Sequence, residues 1–207
     1  MKRFIIGVDE AGRGPLAGPV AVGVVKVAKN FNFKKHFPDA ADSKVLSEKK
    51  REEIYKRMRE FERLGKLEFK VVFAAAQKID TIGIAKAVHA SVYKGICSLT
   101  PKAKGVEVFL DGLLHAPKEY KQQTIIKGDA LIPVISLASI AAKVRRDQLM
   151  RAYAKKYPNY GFEVHKGYGT LRHRTTIKKH GLCVLHRESF CRGLKMKKRV
   201  SNSFDHA

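Results

Sequence analysis

The residues of this chain best suited to chemistry are carboxylates that stand where an apolar run gives way to glycine. Asp9 and Glu10 close the run Phe4 to Val8 and lead into Ala11-Gly12-Arg13-Gly14-Pro15, Asp111 closes Val106 to Leu110 ahead of Gly112, and Asp129 follows Gly128. Neighbouring side chains of a regular strand point to opposite faces, so Asp9 and Glu10 share a site only if the chain turns at that point. The glycines that follow make such a turn cheap. In a chain with 42 Lys and Arg against 19 Asp and Glu, a net charge of +23, acids gathered at the ends of core strands call for a cation of their own. Three or four converging oxygen ligands suit a hard divalent ion, Mg²⁺ or Mn²⁺. Gly12-x-Gly14 does not make a dinucleotide loop: Pro15 and Pro19 remove backbone donors, no amphipathic helix follows, and no Gly-Lys-Ser/Thr occurs. What remains is backbone able to approach a ligand closely, with the guanidinium of Arg13 between two small residues.

The elements that must position these residues read as follows. Phe4 to Val8 and Val20 to Val27 form two strands joined by the Gly/Pro-rich turn of residues 11–19, a hairpin-like pair. Ser47 to Leu64 is a surface helix with Ser47 as N-cap and Ile54, Met58, Phe61 and Leu64 as its apolar stripe. Phe69 to Ala75 is a strand, Ile79 to Leu99 a helix, Val106 to Leu110 a central strand and Gln123 to Lys127 a weaker one. Pro133 to Tyr157 is a helix that starts apolar nearly all round and ends basic, and Thr170 to His180 is a basic helix closed by Gly181. Strands and helices mixed in this order give an α/β or α+β core.

Composition bounds the partners. With 207 residues, 44% of them apolar, the chain can bury a real core, so the excess positive charge lies on a folded surface and suits a polyanion. The apolar runs are too short to span a bilayer, no cleavage signal precedes Asp9, and Cys97, Cys183 and Cys191 form neither a C-x-x-C pair nor a disulfide framework. These features lead us to expect a cytoplasmic protein with no membrane attachment, acting as a monomer. We expect residues 1–192 to form one domain and residues 193–207 a basic, flexible tail.

The segment from Gly7-Val8-Asp9-Glu10-Ala11-Gly12-Arg13-Gly14-Pro15 through Leu16-Ala17-Gly18-Pro19-Val20 resembles the signature of the ribonuclease HII family, the type 2 ribonucleases H. Three further segments are similar to family motifs in the same order: Asp42-Ser43-Lys44-x-Leu46-Ser47, Ala138-Ser139-Ile140-Ala141-Ala142-Lys143-Val144-x-Arg146-Asp147 and His165-Lys166-Gly167-Tyr168-Gly169-Thr170. His186-Arg187-x-Ser189-Phe190 follows them, and the resemblance runs from about residue 4 to about residue 190. It implies an α/β, ribonuclease H-like fold, a mixed central sheet flanked by helices with a helical C-terminal part. It also implies hydrolysis of RNA in RNA–DNA hybrids, including ribonucleotides embedded in duplex DNA, by two-metal-ion catalysis that leaves 5′-phosphate and 3′-hydroxyl ends.

Carried over by position, the resemblance makes Asp9, Glu10, Asp111 and Asp129 the catalytic metal ligands. Asp147 rivals Asp129, but it lies deep in a helix beside Arg145 and Arg146, where a salt-bridged role fits better. Gly12, Arg13 and Gly14 would contact the ribose 2′-hydroxyl, Tyr168 would sense the RNA–DNA junction, and Lys44 and Lys143 would lie near phosphates. Gly83 stands where the family commonly has Asn. A nucleic-acid binder without activity would explain the charge but not the four acids, and a DNA-directed nuclease of the same fold would not need Tyr168 or Gly12-Arg13-Gly14.

Overall fold

The computed structural model describes residues 3–40 and 46–194. In chain order its elements are β1 (Phe4–Ala11), β2 (Val20–Ala28), α1 (Phe33–His36), α2 (Glu48–Arg63), β3 (Leu67–Ala74), α3 (Ala76–Ile82), α4 (Ile84–Leu99), β4 (Val106–Asp111) and β5 (Lys121–Ile125), followed by α5 (Gly128–Leu131), α6 (Pro133–Lys156), α7 (Phe162–His165), α8 (Leu171–His180) and α9 (Glu188–Cys191). The chain divides into two compact units. Of the described residues, the first takes those up to Ala11, those between Ala21 and Phe73, and Val88–Arg145; the second takes Gly12–Val20, Ala74–Ala87 and those from Arg146 to Leu194.

The first unit is built on a five-stranded mixed sheet of order β3-β2-β1-β4-β5. β1 and β2 pair antiparallel, as the hairpin expectation requires, whereas β1 with β4 and β4 with β5 pair parallel. β1 does not end at Val8: its pairing with β2 continues to Ala11 opposite Ala21, so Asp9 and Glu10 are strand residues, the turn expected to bring them to one face begins only after them, and what couples the buried Asp9 to the half-buried Glu10 is charge acting across the strand end. Gly7 and Gly23 explain how α6 comes to lie against this sheet. A Cβ on Gly7 would sit 2.2 Å from the Val134 carbonyl oxygen, and one on Gly23 would sit 2.1 Å from that of Ala138. Only glycine lets a helix backbone approach strands that closely. The buried core here includes Val25, Ile54, Met58, Leu67, Leu137 and Ala141. Ser47 caps α2 by accepting from the Lys50 amide at 3.2 Å, and Ile54 and Met58 are buried; Leu64 follows the helix and is exposed rather than completing its stripe.

The expected single helix from Ile79 to Leu99 is two helices. Gly83 separates α3 from α4 with φ 80 and ψ 153, a backbone region essentially reserved for glycine. The weaker strand is also shifted, to Lys121–Ile125. In the second unit, Ala17, Met150, Ala154, Tyr160, Phe162 and Cys183 pack as one cluster. Thr170 caps α8 by accepting from the His173 amide at 3.2 Å, and Gly181 ends it. Among the described residues no helix is long and apolar enough to cross a membrane.

Candidate active site

Parallel pairing sets the acids side by side. Val8 lies opposite Leu110, so the next residue on each strand is a carboxylate, Asp9 on β1 and Asp111 on β4. Asp9 is buried, with 4% of its surface exposed, and its Oδ1 accepts the Glu10 amide at 2.7 Å. Burial pushes its carboxyl up from 3.8 to about 8; a hydrogen bond from Ser139 on α6 opposes the rise, and the charges of Asp111 and Glu10 add to it. Asp111 Oδ1 accepts the Gly128 amide at 2.6 Å, which ties the start of α5 to the end of β4. Asp129, the next residue, is 1% exposed. Asp9 thus feels the charges of both Asp111 and Glu10, and Asp129 follows the residue whose amide binds the Asp111 carboxylate.

The chemistry of this donor set fits a hard divalent cation: every candidate ligand is a carboxylate oxygen, and a positive charge would offset both the burial that chiefly keeps Asp9 protonated and the lesser repulsion from Asp111 and Glu10. Among the described residues no three His, Cys, Asp or Glu side chains stand gathered for an ion as they are. An open strand-end cluster of this kind suits Mg²⁺, which keeps several of its waters and takes only one or two carboxylates at a time. Ser139 was quoted in the sequence as a motif member without a role. It shares with Ser136 the signal of a hydroxyl in an otherwise apolar stretch of helix, and its side chain hydrogen-bonds Asp9. Lys143 lies one turn further along α6 and is half-buried. Lys44 lies outside the described residues.

The remaining substrate-binding candidates belong to the second unit. Gly12 has φ +86 and opens the turn, Arg13 and Gly14 are exposed, and Tyr168 is 44% exposed. Tyr168 sits on a strained loop in which Lys166 and Gly167 have φ 51 and 86. Three buried histidines hold that loop. His165 Nδ1 accepts the Gly167 amide at 3.2 Å, so its Nε2–H donates to the Tyr160 carbonyl at 2.8 Å. His186 Nδ1 accepts the Cys183 amide at 3.0 Å, so its Nε2–H donates to His173 Nε2 at 3.1 Å, and the His173 Nδ1–H donates to the Tyr168 carbonyl at 2.9 Å. Every partner requires neutral rings. Burial first, then neighbouring rings, lowers His186 to about 3, and burial lowers His173 to about 4. The sequence flagged His165 and His186 only as motif letters; nothing in their spacing announced that they and His173 meet. Asp147 is buried in α6 of the same unit, and its charge acts on Arg146.

With this geometry established, three comparisons identify the company the chain keeps. The family model described as Ribonuclease HII matches residues 6–193. A curated protein named ribonuclease HII from Endomicrobium trichonymphae is 42% identical over 188 residues, covering 90% of this chain and 84% of the relative. Among solved structures, the ribonuclease H2 of Pyrococcus horikoshii OT3 superposes with a TM-score of 0.72 at 24% identity, covering 92% of this chain and 96% of that one. A Bst-RNase HIII solved in complex with Mn²⁺ superposes with a TM-score of 0.64 at 16% identity, covering 91% of this chain and 65% of that one. At these identities the structures show the fold, which is the ribonuclease H-like α/β fold.

Proposed function

The chain belongs to the ribonuclease HII family, and from that premise we propose that it is an endonuclease for RNA–DNA hybrids and for ribonucleotides embedded in duplex DNA, leaving 5′-phosphate and 3′-hydroxyl ends with Mg²⁺ or Mn²⁺ as cofactor. The observation that carries the reading is Asp9: a buried carboxylate at a strand end, raised to about 8 with Asp111 and Glu10 beside it, is costly to keep unless its charge is used.

Asp9, Glu10, Asp111 and Asp129 would hold the ions. A pair of divalent ions bound there would supply an activated water, neutralise charge on the phosphate and stabilise the departing 3′-oxygen. The chain's residues do the rest. To hold a cation Asp9 would release its proton to solvent, and the Ser139 hydroxyl would steady the resulting carboxylate. Gly12-Arg13-Gly14 brings backbone close to the ribose 2′-hydroxyl, the one sugar group that separates RNA from DNA at a given position. Tyr168, exposed on its loop, offers a ring face to the sugar or base at the junction. Lys44, Lys143 and the surplus basic residues hold phosphates with salt-dependent affinity and little sequence preference. Cys97, Cys183 and Cys191 are joined in no disulfide, which suits the reducing cytoplasm.

The test is cleavage mapping on an end-labelled DNA duplex with one ribonucleotide, on a continuous hybrid and on all-DNA duplex. Cuts confined to the two ribonucleotide-bearing substrates and dependent on Mg²⁺ or Mn²⁺ are expected. Equal cutting of all-DNA duplex, or none with either metal, would overturn the proposal.

A further inference from the structure

The turn proposed to read the 2′-hydroxyl is held chiefly from outside. Its carbonyls are occupied by two guanidinium groups that the second unit buries almost completely, Arg146 of α6 at 1% exposed and Arg187 at 0%. Arg187 donates from Nε to the Gly18 carbonyl at 3.0 Å, from Nη1 to that of Arg13 at 2.8 Å and from Nη2 to that of Gly12 at 2.6 Å. Arg146 donates from Nε to the Pro19 carbonyl at 2.9 Å and from Nη2 to that of Ala17 at 3.2 Å. Its third nitrogen, Nη1, reaches away from the turn to the Lys166 carbonyl at 3.0 Å, and its guanidinium lies 5.9 Å from the centre of the Tyr168 ring.

Burying two cations this way is a poor route to stability, because the lost hydration is at best matched by the bonds gained and an apolar side chain would fill the space at less cost. What the fork of an arginine supplies, and no other side chain does, is three coplanar donors that dictate where several carbonyls stand. The packing is consistent with that use. A Cβ on Gly12 would lie 1.9 Å from Arg146 Nε, so the turn closes directly on the guanidinium. A second tie joins the turn to the tyrosine loop, the Leu16 amide donating to the Gly167 carbonyl at 2.9 Å.

We propose that Arg146 and Arg187 are positioning residues for ribonucleotide recognition, Arg187 fixing the Gly12-Arg13-Gly14 turn and Arg146 locking that turn to Tyr168 so that the two readers act as one. The inference rests on the roles proposed above for the turn and for Tyr168. Neither arginine needs to touch substrate. Removing the Arg187 bonds loosens the turn alone and costs activity on every ribonucleotide substrate alike, whereas disturbing Arg146 uncouples the junction reader and costs selectivity.

The measurement is kcat/KM on a duplex with a single ribonucleotide and on a continuous hybrid, for wild type, Arg146→Lys, Tyr168→Ala, the double variant and Arg187→Lys, with thermal melts. Arg146→Lys keeps the charge and loses the fork; its single-ribonucleotide to hybrid ratio should fall about tenfold, within the range of direct couplings. In the Tyr168→Ala background the same change should move the ratio less than about twofold, because the reader it aims is gone. Arg187→Lys should lower both rates and leave the ratio unchanged. A merely structural Arg146 would lower both activities with the folded fraction and leave the ratio unmoved in either background, and that result overturns the proposal. If Tyr168→Ala itself leaves the ratio unchanged while wild type cleaves, the reading of Tyr168 fails instead. The wild-type protein provides a check that needs no variant: the Nε–H resonance of Arg146 should shift on adding metal-free single-ribonucleotide duplex and stay in place with all-DNA duplex, and identical spectra with both would overturn the coupling.

Discussion

Replacing Asp9 by asparagine should make the metal-free protein more stable at neutral pH while destroying its activity. The Asp9 carboxyl is raised from 3.8 to about 8, chiefly by burial. Between these values the native state holds a proton that the unfolded chain has released, so the native state binds more protons and wild-type stability falls as pH rises through this window. At pH 7 the penalty reaches a ceiling of about 4 kcal/mol, from about 1.4 kcal/mol for each of the roughly three pH units above 3.8. Water entering the empty site returns part of it, leaving about 2–3 kcal/mol, or about 5–10 °C in melting temperature for a chain of this size. Asparagine has the same shape and no proton to lose, and its Oδ1 can still accept the Glu10 amide. Thermal melts of both proteins in a chelating buffer should show the gap opening from near zero at pH 4 to its full size at pH 8. Adding Mn²⁺ should then stabilise wild type more than the variant, because an ion that binds only the folded state favours the ionised carboxylate. An Asp9→Asn protein no more stable than wild type at pH 8, or a gap of the same size at pH 4 and pH 8, would refute the reasoning.

Three further outcomes are expected. Asp129→Asn should abolish most cleavage in a Mg²⁺ or Mn²⁺ titration and Asp147→Asn should be milder; the opposite ranking would move the fourth ligand to Asp147. Asp111→Asn should still bind hybrid duplex in a metal-free gel shift, with affinity falling steeply against log salt, since phosphates are held by Lys and Arg; loss of binding would mean the acids also carry affinity. His173 and His186 stay neutral in the native state and take up protons on unfolding, so their contribution is fully present above about pH 6.5 and is lost as pH falls toward 4 and 3. His186→Asn should therefore show a shallower acid decline in melting temperature than wild type, the opposing effect of Asp9 being common to both; parallel curves would show that this ring pair does not set the acid limit.

The sequence alone determined what local chemistry can specify. Apolar runs ending in acids, glycine-rich punctuation and a large positive charge were enough to read the hairpin of β1 and β2, a central strand ending in Asp111, the long apolar helix, a donor set for a hard divalent ion and a surface suited to a polyanion, while the nuclease activity followed from the resemblance of its motifs to the ribonuclease HII family. Ser47 as the cap of α2 follows from its own hydroxyl and the next turn of backbone. Contacts between distant segments were beyond it. That β1 runs on past Asp9 depends on a partner strand continuing to Ala21, and the neighbouring positions of Asp9 and Asp111 depend on parallel register. Ser139 reaches Asp9 only because Gly7 and Gly23 admit a helix backbone against the sheet. Arg146 and Arg187 look in sequence like two more basic residues among 42, and His173 like one basic letter in a basic helix. Only burial makes them different: out of water, each donor must find an acceptor, and for the arginines these are carbonyls 20 to 175 residues away, brought within reach by the tertiary fold, while His173 turns back to the Tyr168 carbonyl five residues before it and meets the His186 ring on its other side.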